Sequence, residues 1–578
     1  MLCIGAGRGI YAAPGSSCRR PEPTGYSMNV GQVTAQVMKL EGVEYLLTYP
    51  LNPLTERCAE VDIRPIVVRQ ERIGVHMADA ISRLSSGDKV GVFACQEGPG
   101  IENAFGAVAQ CWSEGVPLVV FPSGGGSFVK PAFNSTLNFQ HVTKHSEIVT
   151  RPEQIVPALR RAFSIARQGR PGPVLIEVAG IWGAEVPGEL NYTPTRRYRT
   201  APDPKDVDAA AAALIAAKKP LIYVGQGVHY AKAWDELKAV CELVEAPVCS
   251  SLEGKSGFPE THPLALVSGG PTMSRAVAAS VAEADVVFGA GASFTQTGFG
   301  IQFPRENKTF IHNTVDAHDI DKNIPAKYAM VGDSKLALGM LRDALKDRLK
   351  KPRGLTPAVA ARIKELNDPW FAEWMPRLTS DSKPLSPYRV IWDLMHIADV
   401  PNTIITHDAG SPRDELSPFW KSVTPLSYIG WGKSTQLGYG LGLAMGAKLA
   451  HPEKLCMNMW GDAAIGMTGM DIETCARAKI PIMSILFNNF GMHMEDEAMD
   501  YSRKKYGSTD ITGNYSEFAK ALGCYSERVT EPTQIAHALV NGINATKEGK
   551  AVLLEFITTP DKVYSRPQRG GYRGGSTS

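Results

Sequence analysis

The fold of this chain is decided by the stretch GDAAIGMTGMDIETCARAKIPIMSILFNN, which occupies residues 461–489. The apolar run KLCMNMW (454–460) before it and the run IMSILF (482–487) inside it have the length and composition of buried strands. Between them, apolar residues at helical spacing predict a helix over 470–478, which Pro481 ends. Two strands joined by a crossover helix lie parallel, so the stretch predicts a parallel α/β sheet.

Two polar residues follow the two predicted strands. Gly461 and Asp462 mark a turn after the first strand, and Asn489 comes directly after the second. Both places lie at the carboxyl edge of a parallel sheet, where open α/β sheets bind ligands. A carboxylate and an amide oxygen there suit Mg²⁺, which usually shares its site with a phosphate group. Spacing alone equally allows a plainer reading, in which Asp462 caps the helix and Asn489 belongs to a polar loop.

Length and composition describe an ordinary globular chain. Its 578 residues suffice for about three domains. The net charge of +2 gives no reason to expect nucleic acid or an anionic membrane as a partner. The sequence contains no run of 18 apolar residues, so no membrane span is predicted. The ten cysteines are scattered without a ligand-like spacing, so we expect a reduced, cytoplasmic compartment.

Strand-like and helix-like segments alternate in three blocks of similar length. This pattern predicts the α/β class, with three doubly wound parallel-sheet domains. Gly, Pro and Ser dominate the first residues, and the last ones are also biased in composition, so both ends are predicted to lack a fixed structure. The predicted boundaries are a disordered extension over 1–27, domains over 28–190, 205–350 and 387–560, and a flexible tail over 561–578.

The motifs, taken together, resemble those of thiamine-diphosphate-dependent enzymes of the acetolactate synthase type. The resemblance covers residues 28–560. The order of the motifs along the chain implies a pyrimidine-binding domain, then a central domain and then a diphosphate-binding domain. It is carried by RQE (69–71), EGPGIEN (97–103), VDAHDIDKNIPAKYAMVGDSKLAL (315–338) and the GDA…NN stretch. The filling GMTGMDIETCARAKIP (466–481) is most similar to the branch that holds oxalyl-CoA decarboxylase and 2-hydroxyacyl-CoA lyase.

The resemblance implies a cofactor site for thiamine diphosphate and Mg²⁺. Asp462 and Asn489 match the two side-chain ligands of the metal, and the backbone carbonyl of Gly491 is the expected third protein ligand. Ala463 stands where the family usually has glycine, and a small residue there still allows backbone contact with phosphate. The expected cofactor-binding residues are Glu71, Gly410, Ser411, Leu437, Gly461, Asp462, Ala463, Ala464 and Asn489.

Two residues are expected to be catalytic by the same resemblance. Glu71 matches the activating glutamate, whose carboxyl group hydrogen-bonds a pyrimidine nitrogen and so promotes deprotonation of the thiazolium ring. Leu437 matches a bulky apolar residue that bends the cofactor, although core packing alone would also explain a leucine there. In the family, the glutamate and the diphosphate site belong to different chains, so a homodimer or homotetramer is implied.

Substrate contacts are predicted at five positions. Gln96 and Glu97 precede GPG, where acetolactate synthases carry smaller polar residues. His76 either lines the substrate pocket or is a satisfied helix histidine. Met492 and His493 lie in the loop that would cover the cofactor.

The expected activity is the cleavage and formation of C–C bonds in small keto acids or aldehydes. The resemblance favours an acetolactate-synthase-like carboligase or a 2-keto acid decarboxylase. A lyase like 2-hydroxyacyl-CoA lyase or oxalyl-CoA decarboxylase is the alternative within this class. A catalytically silent, cofactor-binding regulatory relative is the alternative from another class, and the presence of the metal ligands and the glutamate argues against it. The sequence names neither the donor nor the acceptor.

FAD is not expected in the central domain, although acetolactate synthases hold it there. At Ser293 the nucleotide-binding relatives carry an arginine, and serine cannot supply that planar, charged set of donors. At Thr314 they carry an acid, and a neutral hydroxyl accepts a weaker hydrogen bond than a carboxylate. The same two differences argue against a CoA substrate, because relatives that use CoA bind ADP at these positions.

Overall fold

Three parallel β-sheets, each with six strands and flanked by helices, make up the protein. The structure is a computed structural model that describes residues 28–124, 133–560 and 562–567. Each sheet lies within one of the three predicted blocks, so the predicted α/β class with three parallel-sheet domains is confirmed. The exact domain boundaries stay a prediction, and the predicted disordered extension over 1–27 lies outside the described residues.

The first sheet has the strand order β2-β1-β3-β4-β6-β5. Its strands are β1 (Tyr45–Thr48), β2 (Arg64–Val67), β3 (Gly91–Cys95), β4 (Leu118–Pro122), β5 (His145–Val149) and β6 (Pro173–Val178). Its helices are α1 (Val30–Leu40), α2 (Leu54–Glu60), α3 (Glu71–Leu84), α4 (Pro99–Glu114), α5 (Ser135–Asn138) and α6 (Ile155–Arg167). The order reverses between β1 and β3, which places a ligand-binding crevice beyond their carboxyl ends.

The middle sheet has the order β12-β11-β10-β7-β8-β9, the arrangement of dinucleotide-binding domains. Its strands are β7 (Pro220–Val224), β8 (Val248–Ser250), β9 (Ala265–Ser268), β10 (Val286–Ala290), β11 (Thr309–Thr314) and β12 (Tyr328–Val331). Its helices are α7 (Pro204–Ala216), α8 (Gly227–Ala231), α9 (Trp234–Val244), α10 (Arg275–Glu283) and α11 (Ser334–Leu349), and α12 (Thr356–Leu378) leads on to the third domain.

The third sheet has the order β14-β13-β15-β16-β18-β17. Its strands are β13 (Thr403–His407), β14 (Tyr428–Ile429), β15 (Leu455–Gly461), β16 (Met483–Asn488), β17 (Tyr525–Val529) and β18 (Val552–Ile557). Its helices are α13 (Pro387–Ile397), α14 (Ser411–Leu416), α15 (Tyr439–Ala450), α16 (Asp462–Thr468), α17 (Ile472–Arg477), α18 (Asp500–Tyr506), α19 (Tyr515–Ala521) and α20 (Ile535–Lys547). Counted from its own first strand, this order is identical to that of the first sheet.

The first and third domains share one apolar core. Helices α3 and α15 occupy equivalent places in the two sheets and pack against each other. A side chain at Gly442 would place its Cβ 2.4 Å from the Cβ of His76, and one at Gly446 would place it 2.2 Å from the carbonyl oxygen of Met77. Glycine at these two positions therefore lets the helices approach closely and fixes the two domains as one unit.

Part of the predicted flexible tail is packed against the third domain. Tyr564, Ser565 and Arg566 are buried, and the carboxylate of Asp414 accepts a hydrogen bond from Arg566. The expectation of a flexible tail over 561–578 is therefore wrong for residues 562–567, because this segment finds buried polar partners that the sequence does not reveal. Within the described part of the chain, no helix combines the length and apolarity needed to cross a membrane.

Candidate functional site

The candidate site lies at the carboxyl edge of the third sheet, where its strand order reverses between β13 and β15. The loops after these two strands and the loop after β16 line a cavity of about 720 Å³. All the third-domain residues predicted for the site line this cavity: Gly410, Ser411, Leu437, Gly461, Asp462, Ala463, Ala464, Asn489, Gly491, Met492 and His493. The structure thus brings together residues that are up to 83 positions apart in sequence.

Helix α16 begins directly at the end of β15. Gly461 is extended, and Asp462 is the first residue of the helix, with Ala463 and Ala464 in its first turn. The sequence predicts a turn at this place and a helix over 470–478; the structure has α17 within that range and, in addition, α16 where the turn was expected. The N-terminal end of a helix carries a partial positive charge and N–H groups without helical partners, so α16 points an end that suits an anion into the cavity, although the N–H of Ala463 already donates to Asp462 Oδ1.

Three oxygen atoms converge beside this helix end. The amide oxygen of Asn489 faces Asp462 Oδ2 at 3.3 Å and the carbonyl oxygen of Gly491 at 2.9 Å. All three are acceptors, so no hydrogen bond joins them in this orientation of the amide. Rotating the amide by half a turn would let its nitrogen donate to both oxygens instead.

The distances from the Asn489 amide oxygen to the other two oxygens, 2.9 and 3.3 Å, are close to those between neighbouring ligands of a cation. Mg²⁺ binds oxygens at 2.0–2.1 Å in octahedral geometry, which puts neighbouring ligands about 2.9 Å apart. The described residues contain no group of three or more His, Cys, Asp or Glu side chains that could hold a metal. A metal site here therefore has to combine one carboxylate with amide and carbonyl oxygens, as these residues do.

Asp462 also shapes the loop that follows β16. Its Oδ2 accepts from the backbone N–H groups of Asn489 and Gly491, at 3.2 and 3.1 Å, and its Oδ1 accepts from that of Ala463 at 2.8 Å. Burial raises the pKa of Asp462, and these hydrogen bonds oppose the increase. Asp462 is thus the first residue of α16 and not its N-cap, which is Gly461, and its carboxylate holds the loop after β16 beside the other two oxygens.

The loop over 489–496 is held by a cluster around Asp496. His493 Nε2 lies 3.1 Å from the carbonyl oxygen of Asn489, and its Nδ1 lies 3.0 Å from Asp496 Oδ2. Lys562 Nζ donates to the same carboxylate oxygen at 2.7 Å. Burial acts against the ionised form of Asp496, but the hydrogen bonds from Lys562 and His493 outweigh it and lower its pKa to about 2. His493 is therefore a loop anchor as well as a residue that lines the cavity.

The loop after β13 forms the opposite wall. Gly410 has a φ of 85°, which favours glycine, and a side chain there would come within 3.4 Å of the sulfur of Met494. Ser411 begins α14, and its hydroxyl lies 2.6 Å from that of Tyr564. The buried part of the C-terminal segment therefore contacts the predicted diphosphate loop directly, which the sequence analysis did not foresee.

Leu437 projects from a loop that a buried carboxylate holds in place. Asp408 Oδ1 accepts from the backbone N–H groups of Ala409 and Gly438, both at 2.8 Å, and its Oδ2 accepts from that of Gly440 at 2.9 Å. Burial raises the pKa of Asp408 to about 6 against these hydrogen bonds. Sequence reasoning missed Asp408, although an acid directly after a buried strand in the motif HDAG was a usable signal.

The first-domain residues predicted for the site form a separate group. Glu71 is the first residue of α3, is buried, and accepts a hydrogen bond from Asn103 Nδ2 at 3.2 Å. Gln96 lies against Gly100, which also approaches Glu71, whereas Glu97 is exposed. None of the three lines the cavity of the third domain in the same chain.

His76 lies between the two domains instead of lining the cavity. It is fully buried, stacks on Tyr439 and shares a 3.1 Å hydrogen bond between its Nε2 and Gln436 Oε1. Burial lowers its pKa to about 3, so the ring is neutral in ordinary buffers. This geometry is closer to the second interpretation of His76, a satisfied helix histidine, although its Nδ1 is buried without a hydrogen-bond partner.

The middle domain has a second cavity, of about 970 Å³ with its opening to solvent included, at its own reversal of strand order. Ser293 and Thr314 both line it, and the Thr314 hydroxyl donates to Asp319 Oδ2 at 3.2 Å. Asp319 therefore supplies a carboxylate beside Thr314, which the expectation from Thr314 alone did not include. The N–H groups of Gly225 and Gly227 donate to backbone carbonyls after β10, at 2.9 and 2.8 Å, so this glycine turn does not offer them to a phosphate.

Comparison with known proteins finds three matching domain families along the chain. They are the thiamine pyrophosphate (TPP) enzyme N-terminal TPP binding domain over 28–127, the central domain over 207–341 and the C-terminal TPP binding domain over 408–556. The probable acetolactate synthase large subunit of Methanocaldococcus jannaschii is 28% identical over an alignment of 577 positions, which covers 94% of each chain. The acetolactate synthase isozyme 3 large subunit of Escherichia coli K12 is 27% identical over 537 residues, 88% of this chain and 90% of the relative.

Proposed function

Because the chain belongs to the family of thiamine pyrophosphate enzymes, we propose that it uses thiamine diphosphate and Mg²⁺ to cleave and form C–C bonds of 2-keto acids. The observation that supports this most directly is the group of three oxygens from Asp462, Asn489 and Gly491 at the N-terminal end of α16. A carboxylate, an amide and a carbonyl suit Mg²⁺, and the helix end suits the diphosphate that such a metal accompanies.

Each residue of the site has a separate task in this proposal. When bound, thiamine diphosphate supplies a carbon nucleophile and an electron sink for the bond next to a carbonyl group. Asp462, Asn489 and the carbonyl of Gly491 bind the metal. Leu437 would pack against the bound cofactor and restrict its conformation, and the carboxyl group of Glu71 would hold a proton beside the pyrimidine ring.

We also propose that the active enzyme is a homodimer or homotetramer. Glu71 lies outside the cavity that contains Asp462 in its own chain, so a second chain would supply the glutamate. Met467 and Met470, close to the cavity, are 45% and 40% exposed, which leaves apolar surface for a partner chain to cover. Analytical ultracentrifugation of the purified protein tests the assembly, and a monomer with full activity would contradict it.

The proposed reaction is the acetolactate synthase type, in which two pyruvate molecules give one acetolactate and one CO₂. The names of the relatives favour it over the other 2-keto acid reactions. The test is to incubate the holoenzyme with pyruvate, and separately with formyl-CoA and an aldehyde, and to identify the products by mass spectrometry. Acetolactate is the expected product, acetaldehyde alone would indicate a decarboxylase, and product only from the CoA mixture would indicate the lyase alternative.

The metal assignment has its own test. Asp462→Ala removes the only carboxylate among the three ligands, so we expect no measurable Mg²⁺-dependent thiamine diphosphate binding in isothermal titration calorimetry. Asp510→Asn, an exposed change in the same domain, is the control and should bind like the wild type. Unchanged affinity in Asp462→Ala would show that the three oxygens do not form the metal site.

A further inference from the structure

A buried acid of the third domain holds the chain just before Glu71. Asp471 Oδ1 accepts from the backbone N–H of Arg69 at 2.7 Å, and its Oδ2 accepts from that of Gln70 at 3.1 Å. Thr474 donates to the same carboxylate at 2.9 Å, and Asp471 is fully buried. Two peptide groups of the first domain are therefore fixed by one side chain of the third.

Two further hydrogen bonds extend this contact along the preceding strand. Arg477 donates to the carbonyl oxygen of Val67 at 2.7 Å, and Arg64 donates to the carbonyl oxygen of Ala478 at 2.6 Å. Both arginines are exposed, so their share of the contact is weaker than that of buried Asp471. Of the three contacts, that of Asp471 lies nearest to α3.

The start of α3 has no side-chain cap of its own. Gln70 is the N-cap residue, and its side chain makes no capping hydrogen bond. Asp471 therefore supplies, from another domain, an acceptor at this helix start. Because Glu71 follows as the first residue of α3, the position of its backbone depends on the two peptide groups that Asp471 binds.

We infer that Asp471 is a positioning residue for Glu71, and this inference rests on the proposed function. Asp471 touches no cofactor; it acts by holding the segment that carries the glutamate. A catalytic group that is misplaced by about 1 Å loses on the order of 100-fold in rate, so such support is expected to matter for turnover. Asp462 and Asp471 lie on one short segment, so the same segment binds the metal at one end and holds the start of α3 at the other.

A plain domain contact is the competing explanation, and three variants separate the two. Asp471→Ala removes both acceptors. Asp471→Asn keeps one oxygen, which can still accept from Arg69 and should rescue part of the effect. Arg477→Gln breaks a bond of the same domain contact without touching residues 69–71, and serves as the matched control.

The first measurement needs neither cofactor nor activity. Hydrogen exchange followed by mass spectrometry on a peptide covering 64–76 should show at least about tenfold faster exchange at Arg69 and Gln70 in Asp471→Ala, since a lost hydrogen bond to a charged group corresponds to that factor or more. Asp471→Asn should be intermediate, and Arg477→Gln should leave these two amides unchanged. Equal protection in Asp471→Ala and wild type would overturn the inference.

The second measurement is a double-mutant cycle on the holoenzyme. Exchange of the thiazolium C2 proton for deuterium should slow at least tenfold in Asp471→Ala, with thiamine diphosphate affinity within about threefold of the wild type. In a Glu71→Gln background the same change should have no further effect, because the residue acts through Glu71. A full additional loss in that background would refute the positioning role. A wild-type protein that exchanges no C2 proton would instead refute the proposed function, and the peptide measurement would still decide whether Asp471 fixes the segment.

Discussion

Replacing Asp408 by alanine tests how the loop that carries Leu437 is held in place. The Asp408 carboxylate accepts from three backbone N–H groups, and two of them, those of Gly438 and Gly440, lie at the end of this loop and in the first turn of α15. Both donors are buried. In Asp408→Ala they lose their acceptor, and each buried donor without a partner costs about 1–3 kcal/mol. We therefore expect the loop to lose about 2–6 kcal/mol of local stability.

This loss has a measurable size in hydrogen exchange. At about 1.4 kcal/mol per factor of ten, the amides of Gly438 and Gly440 should exchange at least roughly 30-fold faster in Asp408→Ala than in the wild type. Asp408→Asn keeps one acceptor oxygen, so either Gly438 or Gly440, but not both, should retain its protection. Asp399→Asn, an exposed change in the same domain, should retain all of it. Unchanged protection in Asp408→Ala would show that the carboxylate does not hold the loop. Leu437 would then have no fixed position from which to bend the cofactor.

Three other changes have clear expected outcomes. Glu71→Gln should keep thiamine diphosphate binding but lose most turnover, because an amide cannot shift the pyrimidine tautomer as a carboxyl group can; wild-type rates of C2 proton exchange would contradict this. Protein purified without added flavin should show no absorbance in the flavin band, given Ser293 and the engaged glycine amides of the middle domain, and stoichiometric FAD would refute that expectation. Burial raises the pKa of Asp408 from 3.8 to about 6, so its carboxyl group binds a proton more tightly in the folded state than in the unfolded chain. The contribution of this group to the free energy of unfolding therefore falls as the pH rises from about 4 to about 6. In urea unfolding, the free energy of unfolding of the wild type relative to Asp408→Asn should therefore increase as the pH falls from about 6 to about 4. A difference that does not change with pH would contradict the raised pKa of Asp408.

The sequence predicted the sheets well because buried parallel strands leave a strong signal. The runs 454–460 and 482–487 correspond to β15 and β16, each to within a residue or two, and the two strands pair in parallel. The predicted helix over 470–478 corresponds to α17, but the sequence did not predict α16, since the small residues after Asp462 have no apolar periodicity. They form α16 because their backbone continues directly from β15, and no periodic pattern records that continuity.

Long-range contacts were the main part of the site that the sequence could not supply. Asp471 lies in the predicted helix over 470–478, and nothing in that pattern indicates that its carboxylate binds peptide groups about 400 positions away in the first domain. Tyr564 was placed in a flexible tail, whereas its hydroxyl meets Ser411 in the cavity wall. Neither contact has a local pattern, because the partner lies in a different domain or a distant loop. The predicted third-domain residues, by contrast, lie on strand ends that the fold itself brings together.

The identical strand order of the first and third sheets suggests an ancient internal duplication. In the first domain, Glu71 is the first residue of the helix that follows the second strand. In the third domain, Leu437 lies in the equivalent connection, just before the helix. An ancestral unit that paired with itself would have offered the same edge twice. Divergence of the two copies within one gene would then let each edge specialise for a different half of one bound molecule, while the paired helices preserve the old symmetry between them.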